Sequence, residues 1–101
     1  MRYKAIIKNI KNINTIEAEI SLGFDVKIMA TLRLLNISSL KNNDKIDEAV
    51  KYLETKLVNK VVELDIKLAK EHSLAIIYLD GKSINQELLD KSLAKQFVKK
   101  D

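Results

Sequence analysis

Apolar residues recur at every second position over residues 3–10 and again over 15–20, where Ile16, Ala18 and Ile20 share one face and Glu17 and Glu19 the other. Such alternation suits half-buried strands, because successive side chains leave a strand on opposite faces. Lys11-Asn12-Ile13-Asn14 lies between them and has the composition of a turn, so the chain opens as a hairpin. Leu22-Gly23-Phe24 marks a second bend. DVKIMATLRLLNI, residues 25–37, then returns with Val26, Ile28, Ala30, Leu32 and Leu34 on one face. A strand of that length is expected to be strongly curved or bulged. The pattern thus predicts a three-stranded meander before residue 38.

After the polar SSLKNN, Asp44 is the expected N-cap of an amphipathic helix over 45–59. Asp47 and Glu48 suit its positive end, and Ile46, Val50, Leu53 and Leu57 recur at helical spacing. Residues 61–68 alternate again and 73–79 read as a buried strand. Asp80-Gly81 is a hairpin signal, since both residues tolerate positive φ. Asn85 is the expected cap of a closing helix with Leu89, Leu93 and Phe97 on one face and Leu88 and Ala94 beside them. The order of elements predicts an α+β fold: a five-stranded OB-fold-like β-barrel with an inserted helix and a C-terminal helix. It forms one domain over residues 1–98, followed by a frayed tail at 99–101.

Composition narrows the chemistry. With 47% apolar and 32% charged residues in 101 positions, the chain has the makings of one core. It has no cysteine and one histidine, His72, which excludes disulfides, thiolate catalysis and multi-histidine metal sites. No apolar run reaches the length of a signal h-region or a membrane span, so an intracellular, cytoplasmic protein with no membrane partner is expected. The net charge of +4 comes almost entirely from lysine, with Arg2 and Arg33 as the arginines. Lysine supplies point charge without the bidentate geometry that reads base edges. Salt-sensitive attraction to polyanions follows, unless the charge reflects only the base composition of the genome. Tyr3, Tyr52 and Tyr78 are dispersed, and Phe24 and Phe97 are expected in the core, so no aromatic platform for single strands is expected.

Four blocks carry a more specific signal: Asn12-Ile13-Asn14-Thr15; Ile20-Ser21-Leu22-Gly23-Phe24; Leu32-Arg33-Leu34-Leu35-Asn36-Ile37-Ser38-Ser39-Leu40-Lys41; and Asp80-Gly81-Lys82-Ser83-Ile84-Asn85-Gln86-Glu87-Leu88-Leu89 followed by Ser92-Leu93-Ala94. In order and spacing they resemble the staphylococcal nuclease family from about residue 3 to residue 95. The resemblance implies a calcium site built from carboxylates, a glutamate that activates water, and two arginines that bind the phosphate. Asn14 stands where the family has a metal-binding aspartate, Ser38 where it has another, and Lys41 where it has the general-base glutamate. His72 falls on the second arginine by an alignment that passes through a gap; Arg33 alone matches its counterpart. Asn36 and Ser92 replace glycines, which implies slightly altered turns. Two lost acids and a reversed charge remove the cation by direct electrostatics, so no catalytic residue, metal or cofactor is expected.

The residues then leave three readings. In the first, Arg33, Lys41, Asn14, Ser38 and His72 line a former active-site pocket that binds a nucleic acid or nucleotide without cutting it. In the second, the domain is a protein-interaction module acting through the barrel face or the helix over 45–59; resemblance to compact members carried by phages and mobile elements implies a host protein in a bacterial cell as partner. In the third, a rebuilt metal site using Glu17, Glu19 or Asp25 retains nuclease activity, although the two glutamates read as solvent-facing. Arg33 either binds an anion or pairs with a strand-face glutamate, and His72 is either a loop residue or a proton-transfer group.

Overall fold

The computed structural model describes residues 2–68 and 73–97. β1 (Arg2–Asn12), β2 (Thr15–Gly23) and β3 (Val26–Leu34) form the expected meander. β4 (Ile37–Ser38) and α1 (Asn43–Leu57) follow, then β5 (Val61–Leu68) and β6 (Ser73–Leu79). β7 (Lys82–Ser83), α2 (Ile84–Asp90) and β8 (Lys95–Gln96) complete the described chain. β1 pairs antiparallel with both β2 and β5, β2 with β3, and β5 with β6. A short parallel pairing, Arg33 with Leu74 and Leu34 with Ala75, joins β3 to β6 and closes a five-stranded barrel. Among the described residues this closure pairs only the end of β3, at Arg33 and Leu34. With its two helices this is an α+β, OB-fold-like architecture.

The inward positions are those the alternation selects. Ile16, Ala18 and Ile20 of β2, Leu32 and Leu34 of β3, Val62 and Leu64 of β5 and Ala75 and Ile77 of β6 form one buried core with Ile7 of β1. α1 adds Ala49, Leu53 and Leu57, each fully buried. Its end is tied to β1: the Asn59 amide donates to the Ile7 carbonyl at 2.8 Å, and the Ile7 amide to the Lys60 carbonyl at 3.3 Å.

Several expectations are corrected. The strand expected over 25–37 stops at Leu34, because Asn36 takes a positive φ of 63° and turns the chain into β4. Its neighbours, not β3, carry the irregularities: register shifts lie at Ile7/Asn9 and Ile10/Asn12 in β1 and at Ser21/Gly23 in β2. β1 also runs through Lys11 and Asn12, so the first turn is tighter than composition suggests, and its Ile13 is buried. The cap of α1 is Asn42, not Asp44, and the helix ends at Leu57. Asn42 Oδ1 accepts from the amides of Asp44 and Lys45 at 2.9 and 3.2 Å. Asn42→Ala is therefore expected to cost about 1 kcal/mol in urea denaturation, against little change for Asp44→Ala.

The closing helix is also shorter than expected. Ser83, not Asn85, caps it, with Oγ accepting from the Gln86 amide at 3.1 Å. It ends at Asp90, since Ser92 adopts φ 57° and breaks the helical path. Leu93 and Ala94 still reach the core, but from irregular backbone. Phe97 and Phe24, expected in the core, are 55% and 100% exposed. Asn36 and Ser92, read as standing where a glycine is usual, both hold the left-handed conformation that glycine adopts without strain. The described chain runs to Phe97, and the tail at 99–101 lies outside the described residues.

Candidate anion-binding site

Arg33 projects from the outer face of β3. Its cross-strand neighbour is Thr15, the first residue of β2. The Leu34 amide donates to the Asn14 carbonyl at 2.8 Å, which fastens the β1–β2 turn beside the end of β3. Inside that turn the Asn14 amide donates to Asn12 Oδ1 at 3.0 Å, and Thr15 Oγ1 donates to Asn14 Oδ1 at 3.1 Å. The Asn14 side-chain oxygen thus accepts one hydrogen bond, while its NH₂ group keeps donors for an anion.

The outer face of β2 decides what Arg33 is free to do. Glu17 accepts a hydrogen bond from Asn9 Nδ2 at 3.0 Å and lies 4.0 Å from Lys11 Nζ; Glu19 lies 3.8 Å from Lys27 Nζ. Neither glutamate pairs with Arg33, and among the described residues its exposed guanidinium has no ion-pair or hydrogen-bond partner. Arg2, by contrast, sits 4.0 Å over the Tyr78 ring and 3.8 Å from Glu63. Each of these exposed pairs is worth little, but together they assign the face's acids to other cations.

Beyond the Leu35–Asn36 turn, β4 pairs with β8 and sets Ser38 opposite Lys95. Lys41 follows on the exposed loop that enters α1. Lys95 escaped the sequence reading, for it belongs to a strand of two residues that carries no periodicity. The structure thus sets Arg33 beside Thr15 and the Asn14 turn, and Ser38 opposite Lys95, on either side of the Leu35–Asn36 turn, with Lys41 three residues beyond Ser38 in the chain. His72 lies outside the described residues. Among the described residues no three His, Cys, Asp or Glu side chains gather as a metal site. No helix there is long and apolar enough to cross a membrane.

A separate cleft of about 230 Å³ lies between the Leu35–Asn36 turn, Ile76 of β6, Ser83 and Gln86 of α2, and Gln96. Its lining is amide and apolar, with no cation to attract a phosphate. Asn85 at its floor is fully committed to backbone: its Oδ1 accepts from the Ile77 amide at 3.0 Å, and its Nδ2 donates to the Leu35 and Ala75 carbonyls at 3.1 and 3.0 Å.

The chain matches no known family model and no curated protein sequence.

Proposed function

We propose that this domain binds a polyanion, a nucleic acid or nucleotide, without cleaving it. Arg33, Asn14, Lys41, Ser38 and Lys95 form the surface that contacts its phosphates. The observation that carries the reading is the unpartnered, exposed Arg33 guanidinium beside the free Asn14 amide donors. A phosphate accepts from such a fork at two oxygens, and the lysines add charge around it. The position favours the same reading, since barrels of this architecture take oligonucleotides on the second and third strands and the first turn. Resemblance to the staphylococcal nuclease family supports the pocket, and Lys41, Ser38 and Asn14 in place of its acids support binding without hydrolysis.

The test is fluorescence anisotropy with a labelled single-stranded DNA, titrated at several salt concentrations. Affinity is expected to fall with salt at a slope of about 0.7 per phosphate contact in log–log form. Arg33→Ala with Lys41→Ala should reduce that slope by about 1.4 and weaken binding by about tenfold or more. The DNA should stay intact with calcium, magnesium or manganese. Salt-independent binding, or a double variant indistinguishable from the parent, would overturn the reading; cleavage that follows the protein through purification would replace it with the nuclease.

A further inference from the structure

We propose that the cleft between the barrel and α2 is a second binding site, one for a small uncharged cyclic amide, the chemistry that a pyrimidine base carries. This site needs no phosphate and goes beyond the polyanion surface. Its volume of about 230 Å³ falls below the roughly 300–1,000 Å³ of pockets that take drug-sized ligands. There is room for roughly eight waters at about 30 Å³ each, the bulk of a single ring and not of a whole nucleotide. No lining residue carries a charge, so a carboxylate or phosphate would leave water without a counter-charge, and a neutral group enters at less cost. Leu35, Ile76 and Leu89 supply apolar walls for the faces of a flat ring.

The polar groups decide what the ring must carry. Asn85 Oδ1 and Nδ2 are held by backbone, so this residue shapes the floor without reading a ligand. On α2, Ser83 Oγ already accepts from the Gln86 amide at 3.1 Å, and Gln86 Nε2 donates to Asp90 Oδ1 at 2.9 Å. Asn36 and Gln96 differ: among the described residues neither side-chain amide has a hydrogen-bond partner. Backbone fixes the place of both, since the Phe97 amide donates to the Asn36 carbonyl at 2.9 Å and Gln96 pairs with Ile37. Each free amide presents a carbonyl acceptor beside NH₂ donors. A ligand with an N–H beside a C=O meets such an amide at two points. A ring holds the two groups in one plane, so no rotor is frozen on binding. Uracil repeats the pair around its ring, one for each amide.

A heteronuclear NMR titration of the full chain with uracil, without nucleic acid, tests the proposal. Saturable shifts are expected at the side-chain amides of Asn36 and Gln96 and at the backbone amides of Leu35 and Gln86. Asn36→Gly removes one amide and keeps the backbone at its φ of 63° without strain, and Gln96→Leu removes the other. Each should weaken uracil binding by about tenfold. Arg33→Ala with Lys41→Ala should leave it unchanged, so this site stands or falls apart from the phosphate surface. Orotate, which adds a carboxylate to the same ring, should not bind. An oligothymidylate and an abasic strand of equal length tell the two sources of a base apart. Where bases of a bound strand enter the cleft, Asn36→Gly weakens the first and not the second; where only free base enters, it weakens neither. Uracil that gives no saturable shifts up to its solubility limit overturns the proposal. So does benzene bound as tightly as uracil, or variants that bind uracil like the parent.

Discussion

Asn85→Ala is expected to lower the unfolding free energy by about 3 kcal/mol, an effect out of proportion to a polar residue on a helix of seven residues. Asn85 is 5% exposed, and its three hydrogen bonds all run to backbone of other elements. Alanine leaves the buried Ile77 amide without this partner, at roughly 1–3 kcal/mol, and removes a donor from the part-buried Leu35 carbonyl at a smaller cost. The Ala75 carbonyl loses less, because the Leu35 amide also donates to it at 2.9 Å. Asn85→Asp keeps the bond from Ile77 but faces a carboxylate oxygen toward two carbonyls, so it is expected to cost at least as much. Urea denaturation of the three proteins checks this. A loss below about 1 kcal/mol for alanine would mean that water replaces the side chain and that the assigned role is wrong.

Asn85 also shows where a sequence pattern misleads. Asn before an apolar helical run has the signature of a cap, yet Ser83 takes that place and frees the amide to bridge β6, α2 and the Leu35–Asn36 turn. Local rules describe what a side chain can satisfy nearby; its three distant backbone partners exist only once the barrel is closed. The strands were legible because a barrel has an inside and an outside, and Ile16, Ala18 and Ile20 obey that division. The same alternation runs on through Leu22, Val26 and Ile28, where nothing covers it. Periodicity reports which face a residue shares, not whether that face meets a core. Phe97 fell to a related error, for its spacing from Leu89 and Leu93 is helical while Ser92 ends the helix without a glycine to mark the stop.

For the candidate site, residue type located Arg33 and Asn14, and spacing placed both beside the first turn. What spacing left open was the partner of Arg33. Cross-strand register settles this: Glu17 lies opposite Thr31 and Asn9, and Glu19 opposite Met29, so Lys11, Asn9 and Lys27 reach the acids and Arg33 does not. The pairing of Ser38 with Lys95 was beyond reach, since two strands of two residues give no alternation to read.

Leu53→Ala is expected to cost about 2–5 kcal/mol, a large part of the stability of a domain this small. Leu53 lies on the inner face of α1 between Ala49 and Leu57, is fully buried, and belongs to the same core cluster as Ile7 of β1. Truncation removes apolar contact and leaves a cavity that neither neighbour is placed to fill: Ala49 is short, and the Asn59 and Lys60 bonds to Ile7 hold the helix end at a fixed distance from the barrel. Because helix and barrel share one core, they should unfold in a single transition, with circular dichroism and tyrosine fluorescence changing at the same urea concentration. β4 with Ser38 and the loop with Lys41 lead directly into α1, so polyanion binding should persist below the transition and disappear with it. Loss of binding while the barrel signal remains would separate α1 from the core, and a cost below about 1 kcal/mol would show that the helix only lies on the barrel instead of sealing it.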